Sequence, residues 1–354
     1  MKGDNQPSLL ELSPAGGCGC KIPLEQMKEF MASLKQAMKA NNSMISVVVD
    51  STDGDDAALY ETSPGTLLAA TTDFGTPVSN NVATWGQISA ENALSDIFAM
   101  GARPLLALSI MAVPESFGAE FMTQLTGGAM AALGKASTPL VGGHTVRSAV
   151  PFFGLSVVGQ VPTNQAILLR NARPGQRLVV TKPLGTGIVI AAAKAGVAPP
   201  ELVKTAEEVM LLSNRVTAEI ATAHGVVAGT DVTGFGLIGH LQNMMTASGC
   251  SARLQVDAVP VIPGVTELLE EHGMVPNSAE SNMFSLDEHI QWMAIPHAWR
   301  LVLNDPQTSG GLLLAVDLAT TPGFIAACAA NGIDAHVIGM VEDAEAGSVV
   351  VGLD

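Results

Sequence analysis

Residues 87–113 read QISAENALSDIFAMGARPLLALSIMAV. The stretch 87–100 has helical character, and Gly101 supplies a C-cap signal behind it. Residues 105–113 then form an apolar run of strand length. On the helix, Glu91, Asn92, Ser95 and Asp96 are three or four residues apart and share one face. Ala93, Leu94, Ile97 and Phe98 fall on the sides expected to be buried. A helix that carries acids and feeds a buried strand makes this an α/β chain with polar chemistry on a core element.

Working outward, residues 66–74 read as a second apolar strand with Asp73 near its end. Residues 44–49 are a β-branched strand that empties into Asp50-Ser51-Thr52-Asp53-Gly54-Asp55-Asp56. Leu24, Met27, Met31, Leu34 and Met38 recur at helical spacing and predict an amphipathic helix over 24–40. Downstream lie a Gly/Ala-rich helix over 120–133, a short apolar step at Leu140-Val141 leading into Gly142-Gly143-His144, and a strand over 152–161. Prolines and polar residues between Pro162 and Pro174 mark a domain boundary. The second half restarts with a strand at 177–181, helices near 187–196 and 203–223, and a helix to Ser248. A strand over 252–256, a loop-like 273–287, a strand over 310–316, a helix near 322–331 and further strands complete it. Strands and helices mix without strict alternation, so the expected class is α/β of the α+β type, with two mixed-sheet domains. The expected division is an arm over 1–22, an N-terminal domain over 23–162 and a C-terminal domain over 163–354.

Composition narrows the function. A length of 354 residues and 47% hydrophobic content support large buried cores. The formal net charge is −16, which opposes nucleic-acid binding. No apolar run is long enough for a membrane span, and the first residues lack the features of a signal peptide. The four cysteines make a poor disulfide framework, so a reducing cytoplasm is the expected setting. A polyphosphate would be repelled by so acidic a chain unless divalent cations mediate the contact.

The acids for that task are present. Asp53, Asp55 and Asp56 follow one strand, Asp73 ends another, Asp96 sits on the helix and Asp231 follows a short apolar run. Taken singly, Asp-Gly-Asp-Asp reads as a solvated turn and Asp231 as a helix cap. Taken together, in a chain of only 14% charged residues, they read as carboxylates able to meet around phosphate-bound metal. Gly16-Gly17-Cys18-Gly19-Cys20-Lys21 holds two of the four cysteines. A lysine beside a thiol favours the thiolate, the nucleophilic form. The alternative is an N-terminal arm with incidental thiols. Gly234-Phe235-Gly236-Leu237-Ile238-Gly239 matches G-x-G-x-x-G, with Asp257 about twenty residues on, as a dinucleotide site requires. Against that reading, no long strand precedes it, and Asp231 would set negative charge near a pyrophosphate. Gly142-Gly143-His144 offers backbone N–H groups to phosphate or ribose, or is a plain turn. Asp305-Pro306-Gln307-Thr308-Ser309-Gly310-Gly311 reads as structural turn chemistry. The remaining histidines show no zinc-type spacing with cysteine.

In order along the chain stand Gly-Cys-Gly-Cys-Lys-Ile, Asp55-Asp56-Ala57-Ala58, Thr71-Thr72-Asp73-Phe74 and Asn92 to Gly101. Gly142-Gly143-His144, Thr230 to Leu237 and Asp305 to Gly311 follow. This series closely resembles the selenophosphate synthetase (selenide, water dikinase) family, from about residue 16 to near the C-terminus. Several strings are shared more loosely with aminoimidazole ribonucleotide synthetases, thiamine-monophosphate kinases and hydrogenase-maturation proteins. The Cys-Gly-Cys-Lys segment points to the selenium enzyme.

The resemblance implies synthesis of selenophosphate from selenide, ATP and water, with AMP and orthophosphate released and the product serving as activated selenium for selenocysteine and selenouridine. It implies the aminoimidazole ribonucleotide synthetase-like fold, an N-terminal sheet that pairs across a homodimer, and ATP near the interface. It implies Mg²⁺ held by Asp56, Asp96 and Asp231, with Asp73 at the metal–nucleotide complex. Asp53, Gly54, Asp55, Gly142, Gly143 and His144 would line the nucleotide, the last three from this chain or its partner. Lys21 would face the phosphates and Cys18 would be the active-site sulfur. Two departures stand out: Lys21-Ile22-Pro23 is one residue shorter than the family's usual Lys-Ile-Ser-Pro, and Trp85-Gly86-Gln87 has glutamine where arginine is common. The competing readings are a relative phosphorylating another small molecule, a non-enzymatic nucleotide or selenium carrier, and a dinucleotide enzyme.

Overall fold

A computed structural model describes residues 8–12, 15–22, 24–39, 46–50 and 53–353. Among these, six strands build a first sheet: β1 (Val47–Val49), β2 (Ala58–Ser63), β3 (Thr66–Gly75), β4 (Arg103–Val113), β5 (Leu140–Arg147) and β6 (Phe152–Pro162). Their order is β1-β2-β3-β6-β4-β5, antiparallel throughout except for the parallel β4–β5 pair. The helices of this half are α1 (Leu24–Lys39), α2 (Val82–Ala99) and α3 (Ala119–Lys135). Helix α2 lies on one face of the sheet and α3 packs on α2.

The second sheet contains β7 (Arg177–Val180), β8 (Ala228–Asp231), β9 (Ser251–Gln255), β10 (Ile290–Trp292), β11 (Leu312–Val316), β12 (His336–Glu342) and β13 (Val349–Gly352). Their order is β10-β13-β9-β12-β7-β11-β8, with parallel pairs β10–β13 and β13–β9 and antiparallel pairs elsewhere. The accompanying helices are α4 (Thr186–Lys194), α5 (Pro200–Met210), α6 (Arg215–Ala223), α7 (Gly236–Ser248), α8 (Val265–His272), α9 (Asn277–Leu286), α10 (His297–Leu303) and α11 (Thr321–Ala330). Both sheets are mixed and both carry helices, as the irregular strand–helix sequence predicts.

Helix α2 is the hinge of the architecture. It contacts β3, β4 and β6 of the first sheet and also β8, α5 and α6 of the second half. The helix starts at Val82, earlier than its apolar pattern predicts, because Asn81 caps it: Asn81 Oδ1 accepts the Thr84 N–H at 3.0 Å. Trp85, Ile88, Leu94 and Ile97 are wholly buried, and each contributes roughly 2–3 kcal/mol of apolar burial. Helix α3 approaches very closely. A Cβ on Gly86 would lie 2.0 Å from the Leu125 carbonyl oxygen, and one on Gly128 would lie 1.9 Å from that of Ala83. The glycine of Trp85-Gly86-Gln87 is therefore a packing requirement, and the adjoining Gln87 is half-buried.

Three local expectations are corrected. Residues 273–287 contain α9 rather than a loop, because Ala279, Asn282 and Leu286 bury one helical face. Asn282 secures it by donating to the carbonyls of Gly234 and Asn304 at 3.0 and 3.1 Å. The stretch 203–223 divides into α5 and α6. Strand β5 runs through Gly142-Gly143-His144 instead of ending before it, since residues 140–147 pair in parallel with β4.

Candidate active site

The acid-bearing segments converge where β3 outruns its neighbour. Strand β2 pairs with β3 only as far as Ala58↔Ala70, so residues 71–75 have an open side. A cavity of about 440 Å³ occupies it. Lys21, Gly54, Asp55, Asp56, Asp73, Asp96 and Asp231 line this space together with Cys20, Thr71, Phe74, Phe152, Thr233, Phe235 and His240. Its size falls within the range of small-ligand sites. Phe74 and Phe152 meet edge to face with centroids 6.1 Å apart and give it an apolar wall.

Each carboxylate is aimed by a neighbour. Asp73, only 7% exposed, accepts from Lys21 Nζ at 3.0 Å and from Asn92 Nδ2 at 2.8 Å, both at Oδ2. Thr71 Oγ1 donates to Asp96 Oδ2 at 2.6 Å, and Ser95 Oγ donates to Asp231 Oδ2 at 2.6 Å. Thr230 Oγ1 donates to Asp56 Oδ1 at 2.8 Å, and the Leu169 N–H donates to Asp55 Oδ1 at 2.7 Å. One oxygen on Asp56, Oδ2, and one on Asp231, Oδ1, are buried with no hydrogen-bond partner. Orphaned acceptors of this kind carry a penalty unless a cation or proton meets them.

The electrostatics agree. Burial, then the neighbouring charges of Asp231 and Asp96, raise the Asp56 carboxyl well above its ordinary range. Burial, then Asp231 and Asp73, do the same to Asp96. Burial pushes Asp231 up to about 6, and burial pushes Asp55 up to about 6. Without a counter-ion the cluster therefore holds protons that a divalent cation would displace. Among the described residues, no three His, Cys, Asp or Glu side chains form a group able to hold a metal ion unaided. Donors that must be completed by phosphate and water suit Mg²⁺, which is bound through one or two carboxylates plus substrate phosphates.

Two other predicted groups do not join this cavity. Asp53 is exposed and turns back on its own loop, accepting the Asp50 N–H at 2.8 Å. Gly142, Gly143 and His144 are exposed on β5, three strand spacings from β3, or about 14 Å. Gly143 is needed there for packing, since its Cβ would fall 2.1 Å from Ser109 Oγ. The Cys18 side chain lies outside the described residues, while the flanking Gly17 is fixed by an antiparallel bridge to Thr76.

The G-x-G-x-x-G segment has a packing role. Strand β8 is the sheet's edge, antiparallel to β11, and β9 lies four places away in the sheet, so no parallel βαβ unit exists for a dinucleotide. Gly236 has φ +69, and its Cβ would strike the Asn304 backbone at 2.6 Å. The turn brings His240 back so that its Nε2 accepts the Thr233 N–H at 3.1 Å. Burial, reinforced by the charge of Lys21, lowers His240 to about 3, so the ring is neutral.

Comparison with known proteins places this geometry. Residues 54–161 match the AIR synthase related protein N-terminal domain, and residues 173–352 match its C-terminal domain. The selenide, water dikinase of Cronobacter sakazakii is 39% identical over 97% of this chain and 97% of its own length. The chain belongs to the selenide, water dikinase family. Its fold is shared with solved structures of lower identity. Thiamine-monophosphate kinase from Stenotrophomonas maltophilia superposes with a TM-score of 0.66 at 20% identity, covering 91% of this chain and 95% of that one. The hydrogenase maturation protein HypE in complex with ATP gives 0.63 at 19% identity, covering 90% of each.

Several site residues escaped the sequence reading: Thr71, Phe152 and His240 in the cavity lining, and Thr230 behind Asp56. Each is an ordinary residue type whose aim depends on its element's neighbours. The shared face of Glu91, Asn92, Ser95 and Asp96 was legible, but it is buried against the second half of the molecule instead of facing solvent.

Proposed function

We infer that this chain makes selenophosphate from selenide, ATP and water, releasing AMP and orthophosphate. The observation that carries the reading is the buried carboxylate cluster, with orphaned oxygens on Asp56 and Asp231, facing a nucleotide-sized cavity in a chain of the selenide, water dikinase family. Asp56, Asp96 and Asp231 would hold Mg²⁺ jointly with the polyphosphate. Bound there, Mg²⁺ neutralises phosphate charge and orients the transferring group, which is most of what phosphoryl transfer requires.

The chain's own residues supply the rest. Asp73 ion-pairs with Lys21. Lys21 would face the polyphosphate, a stronger anionic partner, and Asp73 would turn to the metal–nucleotide complex. Gly54 and Asp55 flank the nucleotide. Phe74, Phe152 and Phe235 exclude water from one wall of the cavity. Cys18 is the sulfur that handles selenide, presented by Gly16 to Gly19 beside the cationic Lys21. A superfamily reaction on another acceptor is the second reading, favoured by the shared fold of a thiamine-monophosphate kinase, but that reading assigns no task to Cys18.

The uncovered side of the first sheet supports a homodimer. Tyr60, Phe74, Leu108 and Val146 are large, apolar and exposed on that side, where a second copy presenting the same face would bury them. By strand register, Gly142 and His144 stand beside Leu108 and Ile110 on the same face. They would thus reach the nucleotide site of the partner rather than their own. No described helix is long and apolar enough to cross a membrane, and a cytoplasmic setting suits both the thiols and the selenide.

The test is ³¹P NMR of ATP, Mg²⁺ and selenide under anaerobic conditions. A selenium-dependent phosphorus signal with AMP is expected, and ADP alone would overturn the reading. Cys18→Ser should suppress selenide-dependent product while leaving nucleotide binding within about twofold; unchanged turnover would remove the cysteine from the reaction.

A further inference from the structure

Lys182 is 4% exposed and sits just after β7, away from the cavity wall. Its Nζ donates to the Leu212 carbonyl at 2.6 Å and to the Ser309 carbonyl at 2.7 Å. Nearby Glu91 is 3% exposed, and the Ser213 hydroxyl and the Lys182 charge act on its carboxylate. Burying a lysine and a glutamate costs several kcal/mol apiece before their attraction offsets it. Ser309 itself sits at φ +50, a conformation that costs a non-glycine residue roughly 1–3 kcal/mol and persists only where the surroundings enforce it.

What this strained turn does is visible in its two outgoing arms. The Ser309 N–H donates to Asn92 Oδ1 at 2.6 Å, and Asn92 Nδ2 donates to Asp73 Oδ2 at 2.8 Å. The Gly310 carbonyl accepts from Asn214 Nδ2 at 2.8 Å, which also donates to Ser95 Oγ at 2.8 Å. Ser95 Oγ in turn donates to Asp231 Oδ2. The turn has no slack, because a Cβ on Gly310 would lie 1.9 Å from the Val232 carbonyl oxygen. Both halves of the molecule thus meet in one buried network, and both arms end on carboxylates of the acid cluster.

We propose that Lys182 is a positioning residue for the acid cluster. By pinning the Leu212 and Ser309 carbonyls, it fixes the turn that aims Asp73 through Asn92 and Asp231 through Asn214 and Ser95. The inference rests on the reading of that cluster as a metal–nucleotide site. Partners that orient metal-binding groups from behind typically govern 10- to 100-fold in metal affinity.

The experiment counts free Mn²⁺ by electron paramagnetic resonance, with the full chain and the non-hydrolysable ATP analogue AMPPCP. Lys182→Met keeps the aliphatic length and removes the donors. It should raise the Mn²⁺ dissociation constant about tenfold or more, with the far-ultraviolet circular dichroism of the wild type. A purely structural lysine would lower Tm yet leave Mn²⁺ affinity in the folded protein within twofold, and that result overturns the proposal. Should Lys182→Met not fold, Asn214→Ala, which keeps the lysine, decides: about threefold weaker Mn²⁺ binding supports the relay, and unchanged binding overturns it. If the wild type retains no Mn²⁺ with AMPPCP, the metal–nucleotide reading falls and takes the relay with it. If only the variants match the wild type, the relay alone falls.

Discussion

The acid cluster and strand β5 carry motifs of similar prominence, yet the fold treats them oppositely. Asp56, Asp96 and Asp231 come from a loop, a helix and an edge strand far apart in sequence, and their carboxylates are gathered around one cavity. Gly142, Gly143 and His144 are contiguous, regular and exposed, and they stand outside that cavity. The difference is set by sheet order. Strand β3 packs on α2, which packs on β8 in turn, whereas β5 is on the far edge beyond β6 and β4. A motif that the fold leaves uncovered on an apolar face needs a second surface before it can act. A motif whose charges the fold buries is assembled within one chain.

The contrast can be broken most severely at the cluster. Asp231→Asn should lower selenophosphate formation by about 10³-fold, on the scale of losing a dedicated electrostatic stabiliser, measured by ³¹P NMR as AMP release. The same change should leave the metal-free protein as stable or more stable, because it removes one member of a mutually repelling buried set. A turnover drop below about tenfold would mean that the cluster is structural.

Strand β5 provides the next test. Leu108→Glu places a charge in the middle of the exposed apolar face and should shift a dimer to monomer in sedimentation velocity. Turnover should fall about 10- to 100-fold if the partner's β5 completes the site. A monomer with full activity would confine the reaction to one chain and remove His144 from it.

The smallest effect is on stability against pH. Asp231, at about 6, and Asp56 and Asp96, both raised, keep protons in the folded state that the unfolded chain has lost. Asp305, raised by burial to about 7, acts in the same sense. The folded state therefore binds more protons than the unfolded state between about pH 4 and 7, so metal-free stability falls as pH rises through that window. In chelator, Tm should be several degrees lower at pH 7.5 than at pH 5.5. Mg²⁺ with AMPPCP should narrow the gap by favouring the ionised carboxylates. A Tm that rises with pH in chelator would show that the buried carboxylates are already compensated.

Legibility followed the range of the interactions involved. Helix α2 could be read from its helical pattern and its glycine stop, and the acids from their places at strand and helix ends in a chain of only 14% charged residues. Helix α9 could not, since Asn277 to Ser285 shows no apolar stripe and Asn282 on its buried face is satisfied by the carbonyls of Gly234 and Asn304. The Asp305 to Gly311 segment reads as a turn, and a turn it is. Its link to Asp73 and Asp231 runs through Asn92 and Asn214, each far from it in sequence. His240 follows a glycine pattern that mimics a dinucleotide site, and the antiparallel edge position of β8 excludes that use.

The sequence by itself determined the residue types and their local order: acids at strand and helix ends, a Cys-x-Cys-Lys arm, glycines where backbones must touch, and the family likeness these carry. Local order is enough for that, because periodicity, caps and turns act over a few residues. Tertiary structure alone decided which of these residues share a cavity, which are buried with an orphaned oxygen, and which face outward on an open sheet. Those outcomes depend on strand order and on the packing of α2 between two sheets, where each contact joins residues that no local rule connects.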